Sequence, residues 1–159
     1  MIGVRFITLG TLKESYLREA AAEYEKRLGA FCKMQMIQLK EEKLSDNPGE
    51  GEIRQALDRE AQKIMAEIPP RAYKIAMCVE GKQLSSEELA DKLEEVSERY
   101  GDVCFIIGSS HGLSDSVKNA CDMRLSVSKL TFPHQLMRVL LLEAVYRGFN
   151  IIKGTKYHK

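Results

Sequence analysis

Apolar and polar residues are arranged in blocks along this chain, and the period of the apolar positions switches between that of a strand and that of a helix. Val4 to Leu9 is an apolar, β-branched run closed by Gly10, which predicts a strand. Tyr16, Leu17, Ala20, Tyr24 and Leu28 then recur at helical spacing and predict a helix over Lys13 to Leu28. Met34 to Leu39 reads as a second strand. Glu41 to Gly51, rich in charge, Pro and Gly, reads as an exposed loop and the most mobile segment. Ile53, Leu57, Ala61, Ile64 and Ile68 mark one face of a helix that Pro69 and Pro70 end, because proline disfavours helical geometry in the residue before it.

A third strand is expected from Lys74 to Val79, broken by Gly81, and Ser85-Ser86-Glu87-Glu88 supplies a cap and an acidic first turn for a helix to Tyr100. Val103 to Ile107 is the fourth strand and Leu125 to Ser128 the fifth. Between them lie the loop Gly108 to Gly112 and a short helix to Ala120, capped by Ser114. A last long helix begins near Pro133, where a missing N–H is tolerated. Strands alternating with helices predict one α/β domain over residues 1–159, with a mainly parallel sheet covered by helices on both faces. Ligands of such sheets bind beyond the carboxyl ends of the strands, so the loops after strands are the places to search.

Composition adds less than distribution does. The net charge is only +1, but Arg124 to Lys159 holds seven Lys or Arg and one acid (7 − 1 = +6), while Lys40 to Asp102 holds ten bases and sixteen acids (10 − 16 = −6). A local group of cations suits phosphate contacts, or is simply a solvated face. Cys32, Cys78, Cys104 and Cys121 are widely spaced, which fits reduced, buried thiols in a cytoplasmic protein. No signal peptide or transmembrane-length run is present in the sequence.

Several chemistries lack their motifs. Thr8-Leu-Gly-Thr-Leu-Lys13 has no G-x-G for a dinucleotide, there is no G-x-x-x-x-G-K-[ST] phosphate loop, and no H-E-x-x-H or paired Cys/His cluster. No metal and no nucleoside triphosphate are therefore expected. Gly108 to Gly112 is the sharper candidate, as a ligand loop or as a tight strand-to-helix turn. Ser126 to Phe132 offers small side chains and free backbone groups to a purine and ribose, or serves as a helix cap through Thr131. His111 has a loop context, and Tyr157-His158-Lys159 combines an aromatic, a titratable ring and a cation that could meet RNA, unless the end merely frays. Leu136 to Ile152 is apolar nearly all round and must be buried on two sides, by a partner subunit or in a three-layer monomer.

The run Thr131-Phe-Pro-His-Gln-Leu-Met-Arg-Val-Leu-Leu-Leu-Glu-Ala-Val-Tyr-Arg147, with Tyr157-His158-Lys159, resembles the C-terminal signature of the ribosomal RNA pseudouridine N3-methyltransferase family of the SPOUT class. The resemblance extends over the chain through Ile7-Thr-Leu-Gly-Thr-Leu-Lys13, Glu23-Tyr-Glu-Lys-Arg-Leu28, Glu80-Gly81-Lys82 and Ile107-Gly108 to Gly112-Leu113-Ser114. It implies a SPOUT fold with a deep C-terminal trefoil knot, a homodimer, and S-adenosylmethionine held by Met77, Gly108, Val127, Ser128, Lys129, Leu130, Thr131 and Phe132. The implied substrate is N3 of a pseudouridine in large-subunit ribosomal RNA, in a stem-loop facing the decoding centre. His158 becomes the first candidate to assist proton loss from N3, with Tyr157 and Lys159 orienting the base, and Arg138 and Arg147 meeting phosphate or the dimer interface. Two positions depart from the family: Met77 where leucine is usual, and Ser109 where a second glycine is common. The rival reading is a noncatalytic ribosome- or RNA-binding α/β protein, which would share the basic surface but not bind the methyl donor.

Overall fold

The computed structural model describes Met1–Lys159. Its elements follow in the order β1 (Gly3–Leu9), α1 (Ser15–Leu28), β2 (Lys33–Leu39), α2 (Glu50–Glu67), β3 (Tyr73–Lys82), α3 (Ser86–Arg99), β4 (Asp102–Ile107), α4 (Asp115–Ala120), β5 (Met123–Leu125) and α5 (His134–Lys153). The strands form one sheet in the order β2-β1-β4-β3-β5, and every pairing is parallel. Because successive strand residues point to opposite faces, the apolar runs bury on both sides. Val4, Phe6, Phe105 and Ile107 join α1, α3 and α5 in the larger core, where the rings of Phe6 and Phe105 stack at 5.3 Å. Ile7, Leu9, Cys104 and Ile106 join α2 and α4 in a second core.

Local chemistry fixes the helices that frame the loops. Ser85 and Glu88 form a capping box at the start of α3: the Ser85 hydroxyl accepts from the Glu88 N–H at 3.1 Å, and the Glu88 carboxylate from the Ser85 N–H at 2.9 Å. The Ser114 hydroxyl accepts from the Val117 N–H at the start of α4. The α3 face Leu89, Ala90, Leu93 and Val96 is buried, and burying Leu93 fully contributes about 1.5–3 kcal/mol. It meets α5 at Gly148, where a Cβ would lie 2.9 Å from Leu93 Cδ1, so the absent side chain lets the two helices approach. No residue of α5 before Lys153 is exposed, because α1 and α3 flank it; Leu136, Met137, Leu140 and Ala144 remain half-buried. No helix is long and apolar enough to cross a membrane.

Three expectations need correction. Gly81 does not break β3, which runs on to Lys82: it lies against the backbone of Leu125, where any Cβ would sit 2.6 Å from the carbonyl carbon. The fifth strand is Met123–Leu125 and not Leu125 to Ser128, because pairing with β3 stops at Leu125. Thr131 caps nothing: Pro133 is the N-cap of α5, which has no side-chain cap. The segment between β2 and α2 has hydrogen-bonding partners along α2. Ser45 donates from its N–H and hydroxyl to Glu52 at 2.6 and 2.7 Å, and Lys63 donates to the Lys40 carbonyl at 3.0 Å.

Candidate functional site

A cavity of about 550 Å³ opens where β3, β4 and β5 end, within the size range of sites for small organic ligands. Met77, Cys78, Val79 and Glu80 of β3 form one wall, residues Ile107 to Leu113 a second, and Leu125 to Ser128 with Leu130 to Pro133 a third, while His134 and Met137 of α5 close the base. Of the residues assigned by resemblance, Met77, Gly108, Val127, Ser128, Leu130, Thr131 and Phe132 line this cavity. Lys129 does not; its side chain is exposed.

The second wall is shaped by backbone. A Cβ on Gly108 would stand 2.3 Å from the Gly112 carbonyl oxygen, so glycine here is required by the loop folding onto itself. Gly112 turns that loop at φ +83°, and its N–H donates to the Ser109 carbonyl at 2.8 Å. Ser109 has negative φ, like every residue here other than glycine, so serine at this position introduces no backbone strain. The third wall is held by two serines. The Ser126 hydroxyl donates to the Ser128 carbonyl at 2.9 Å, and the Ser128 hydroxyl accepts from the Leu130 N–H at 3.0 Å. From Val127 to Phe132 no backbone group pairs with another backbone group, which leaves amides and carbonyls beside the cavity for a ligand.

Sequence reasoning missed Cys78 to Glu80, His134 and Met137. Glu80 accepts from Lys118 of α4 at 2.6 Å at the rim, and this partner holds the Glu80 carboxyl below the usual carboxylate range. The apolar run that holds Met77 continues through Cys78 and Val79, the signal that could have located this part of the wall. No group of His, Cys, Asp and Glu is placed to hold a metal. All four cysteines are free, and burial pushes the Cys32 and Cys104 thiols up to about 12 and Cys121 up to about 11.

Tyr157, His158 and Lys159 do not line the cavity. Gly154, at φ +70°, turns the chain back along α5. The Tyr157 hydroxyl donates to Glu143 Oε2 at 2.6 Å, its ring packs edge-on against Tyr146 at 4.8 Å, and the Arg147 guanidinium lies 4.7 Å from the ring centroid. Burial and the bond to Glu143 raise the Tyr157 pKa. Arg147 also donates to Glu143 Oε1 at 2.7 Å and lies 3.3 Å from His158 Nδ1. With Nδ1 accepting from arginine, the proton resides on Nε2, which faces Glu87 Oε1 of α3 at 2.7 Å. Both ring nitrogens are engaged.

Arg138, expected to meet phosphate or a dimer interface, lies buried in the chain. It is 2% exposed, its Nη2 donates to the carbonyls of Leu9 and Gly10 at 3.3 and 3.1 Å, and its Nε and Nη1 have no partner. Burial pushes its pKa down, offset by Glu41 and Glu25. Its position on α5 turns it towards the end of β1 and away from solvent.

A family model described as "Predicted SPOUT methyltransferase" matches residues 2–158. The chain belongs to the SPOUT methyltransferase family. It is 50% identical over 157 residues to "Ribosomal RNA large subunit methyltransferase H" of Streptococcus thermophilus, covering 98% of this chain and 99% of the relative. It is 46% identical over 159 residues to the protein of the same name from Leuconostoc mesenteroides, covering 99% and 100%. Among solved structures, "a probable methylase family protein from Haemophilus influenzae" aligns with TM-score 0.57 and 16% identity over 100% of this chain and 72% of that one, a likeness of fold.

Proposed function

We propose that this SPOUT methyltransferase acts in the cytoplasm as a homodimer, transferring a methyl group from S-adenosylmethionine to N3 of a pseudouridine in large-subunit ribosomal RNA. The names of the relatives support the ribosomal substrate. The observation that carries the donor assignment is the cavity beyond β3, β4 and β5, whose backbone between Val127 and Phe132 makes no backbone–backbone hydrogen bond. Those amides and carbonyls suit the edge of a purine and a ribose, and Met77, Leu125 and Met137 offer an apolar bed.

Bound there, S-adenosylmethionine supplies a methyl group already activated on a sulfonium. The protein's own work is alignment and exclusion of water, and alignment is worth about 7–11 kcal/mol. The Gly108 to Gly112 loop and the serine-braced third wall supply that rigidity. N3–H of the base is a weakly acidic imide that must lose its proton, and His158 is the group assigned to assist. It must first leave Glu87 or Arg147, since neither ring nitrogen is free to accept. Each tail serves the cavity of the partner subunit, because its own α5 and α3 hold it off its own cavity's lining. Tyr157 and Lys159 orient the RNA, and Arg147 positions Tyr157 and His158.

The trefoil knot belongs to the same proposal. Two contacts support it: Leu125 pairs with β3 at both Met77 and Lys82, and the Ser126 N–H donates to the Lys82 carbonyl at 2.9 Å, so β3 folds around the segment that leads into α5. Ribosomes lacking the modification, incubated with the protein and labelled S-adenosylmethionine, should acquire one methyl that mass spectrometry places on a pseudouridine. Donor binding without label in the RNA would refute the substrate, and failure to bind the donor would refute the cavity assignment.

A further inference from the structure

Glu60 of α2 is 4% exposed, and a carboxylate is almost never that buried without a charged partner. It makes no ion pair; Lys63, one turn on, is engaged with Glu42 and the Lys40 carbonyl. Its two oxygens instead accept from two separate segments. Oε2 takes the backbone N–H of Glu42 at 3.0 Å, just after β2, and Oε1 takes the Ser109 hydroxyl at 3.3 Å, in the second wall of the cavity. Within residues 108–112, Ser109 is the only side chain with a hydrogen bond. A smaller cavity lies behind this wall, bordered by Glu41, Glu42 and Glu60 on one side and by Ser109, Ser110 and His111 on the other. Ser109, Ser110 and His111 also border the main cavity, so the loop is a partition with the donor site on one side and Glu60 on the other.

Burial raises the Glu60 pKa, offset by the bonds from Glu42 and Ser109. A buried charge without a counter-ion is a poor stabilising device, whereas a two-armed acceptor between two loops is a good positioning one. We propose that Glu60 is a positioning residue for the methyl transfer, tying the partition loop through Ser109 to the segment after β2 through Glu42, so that donor binding and the placement of that segment are coupled. This rests on the reading that the main cavity takes S-adenosylmethionine. The partition is then held from behind, and the 40–49 segment reports whether the donor is bound.

Calorimetry with S-adenosylmethionine and limited proteolysis at Lys40 and Lys43 test the tie. Glu60→Ala should weaken the donor about 10-fold, the effect of losing one or two hydrogen bonds to a charged group, and the 40–49 segment should be cut faster and lose its protection by the donor. Glu60→Gln should stay within about 3-fold of the parent, since an amide keeps an acceptor for the Glu42 N–H and offers an N–H to the Ser109 oxygen. Ser109→Ala should weaken the donor less than Glu60→Ala, and the double variant should be no worse than Glu60→Ala alone. Unchanged donor affinity and cleavage in Glu60→Ala would overturn the proposal, as would equal losses in Glu60→Ala and Glu60→Gln. If the parent protein takes up no donor, the functional reading fails instead. The tie is then judged by cleavage of the 40–49 segment without donor, and equal rates in parent and Glu60→Ala overturn it.

Discussion

The proposed donor cavity and the C-terminal tail are built by opposite means. Two of the cavity's three walls are shaped by backbone: Gly108 folded onto Gly112, and a 126–132 loop braced by two serine hydroxyls. The tail is held by side chains, with Tyr157 and His158 bound through Glu143, Arg147, Tyr146 and Glu87. A backbone wall accommodates many side chains but no misplaced Cβ. A side-chain clasp accommodates backbone change but loses hold with one truncated residue. The cavity should therefore fail at its glycines, and the tail at its polar tips.

The sharpest break of this contrast is Gly108→Val. Relieving its overlap with the Gly112 carbonyl costs roughly 3 kcal/mol, and calorimetry should show donor affinity down about 100-fold or more. Removing Tyr157 to Lys159 should leave donor affinity unchanged while the rate of RNA methylation falls about 100-fold, the low end of what a positioned acid or base contributes. Equal losses in both measurements would mean the tail supports the cavity itself. Ser126→Ala deletes one turn bond worth about 0.5–1.5 kcal/mol and should weaken the donor about 5-fold, whereas Met77→Leu, a change of side chain alone, should move it less than about 2-fold. The smallest effect is in alkali. The Tyr157 pKa is raised in the fold, so its contribution is complete below the usual tyrosine value of about 10 and is lost as pH climbs towards the folded value. Phenolate absorbance should show late-titrating tyrosines, of which Tyr157→Phe removes one and leaves Tyr73, whose pKa burial also raises.

The parallel sheet was readable in the sequence because strand-like stretches alternate with helical ones, β1 and β4 are apolar runs, and the Ser85 and Ser114 caps act locally. Loop positions of the cavity were readable too, since ligand sites follow strand ends. What was hidden depends on distant partners. The alternation Leu125 to Ser128 looks like a strand, but its pairing ends where β3 turns around Leu125. Arg138 stands in a basic stretch and looks exposed; only the Leu9 and Gly10 carbonyls, 129 and 128 residues away, reveal that it is buried. The partner of His158 is 71 residues away on another helix. A period of apolar residues reports which face is inward, and carries no record of which carbonyl or carboxylate awaits a polar side chain there.

The contact between Gly108 and the Gly112 carbonyl also bears on inhibition. A competitor resting against that wall would touch mainly backbone atoms, so escape by point substitution would fall on the side chains it also met, such as Met77, Leu125 and Met137. Ligands that lean on the glycine wall and spare those side chains leave resistance fewer places to arise.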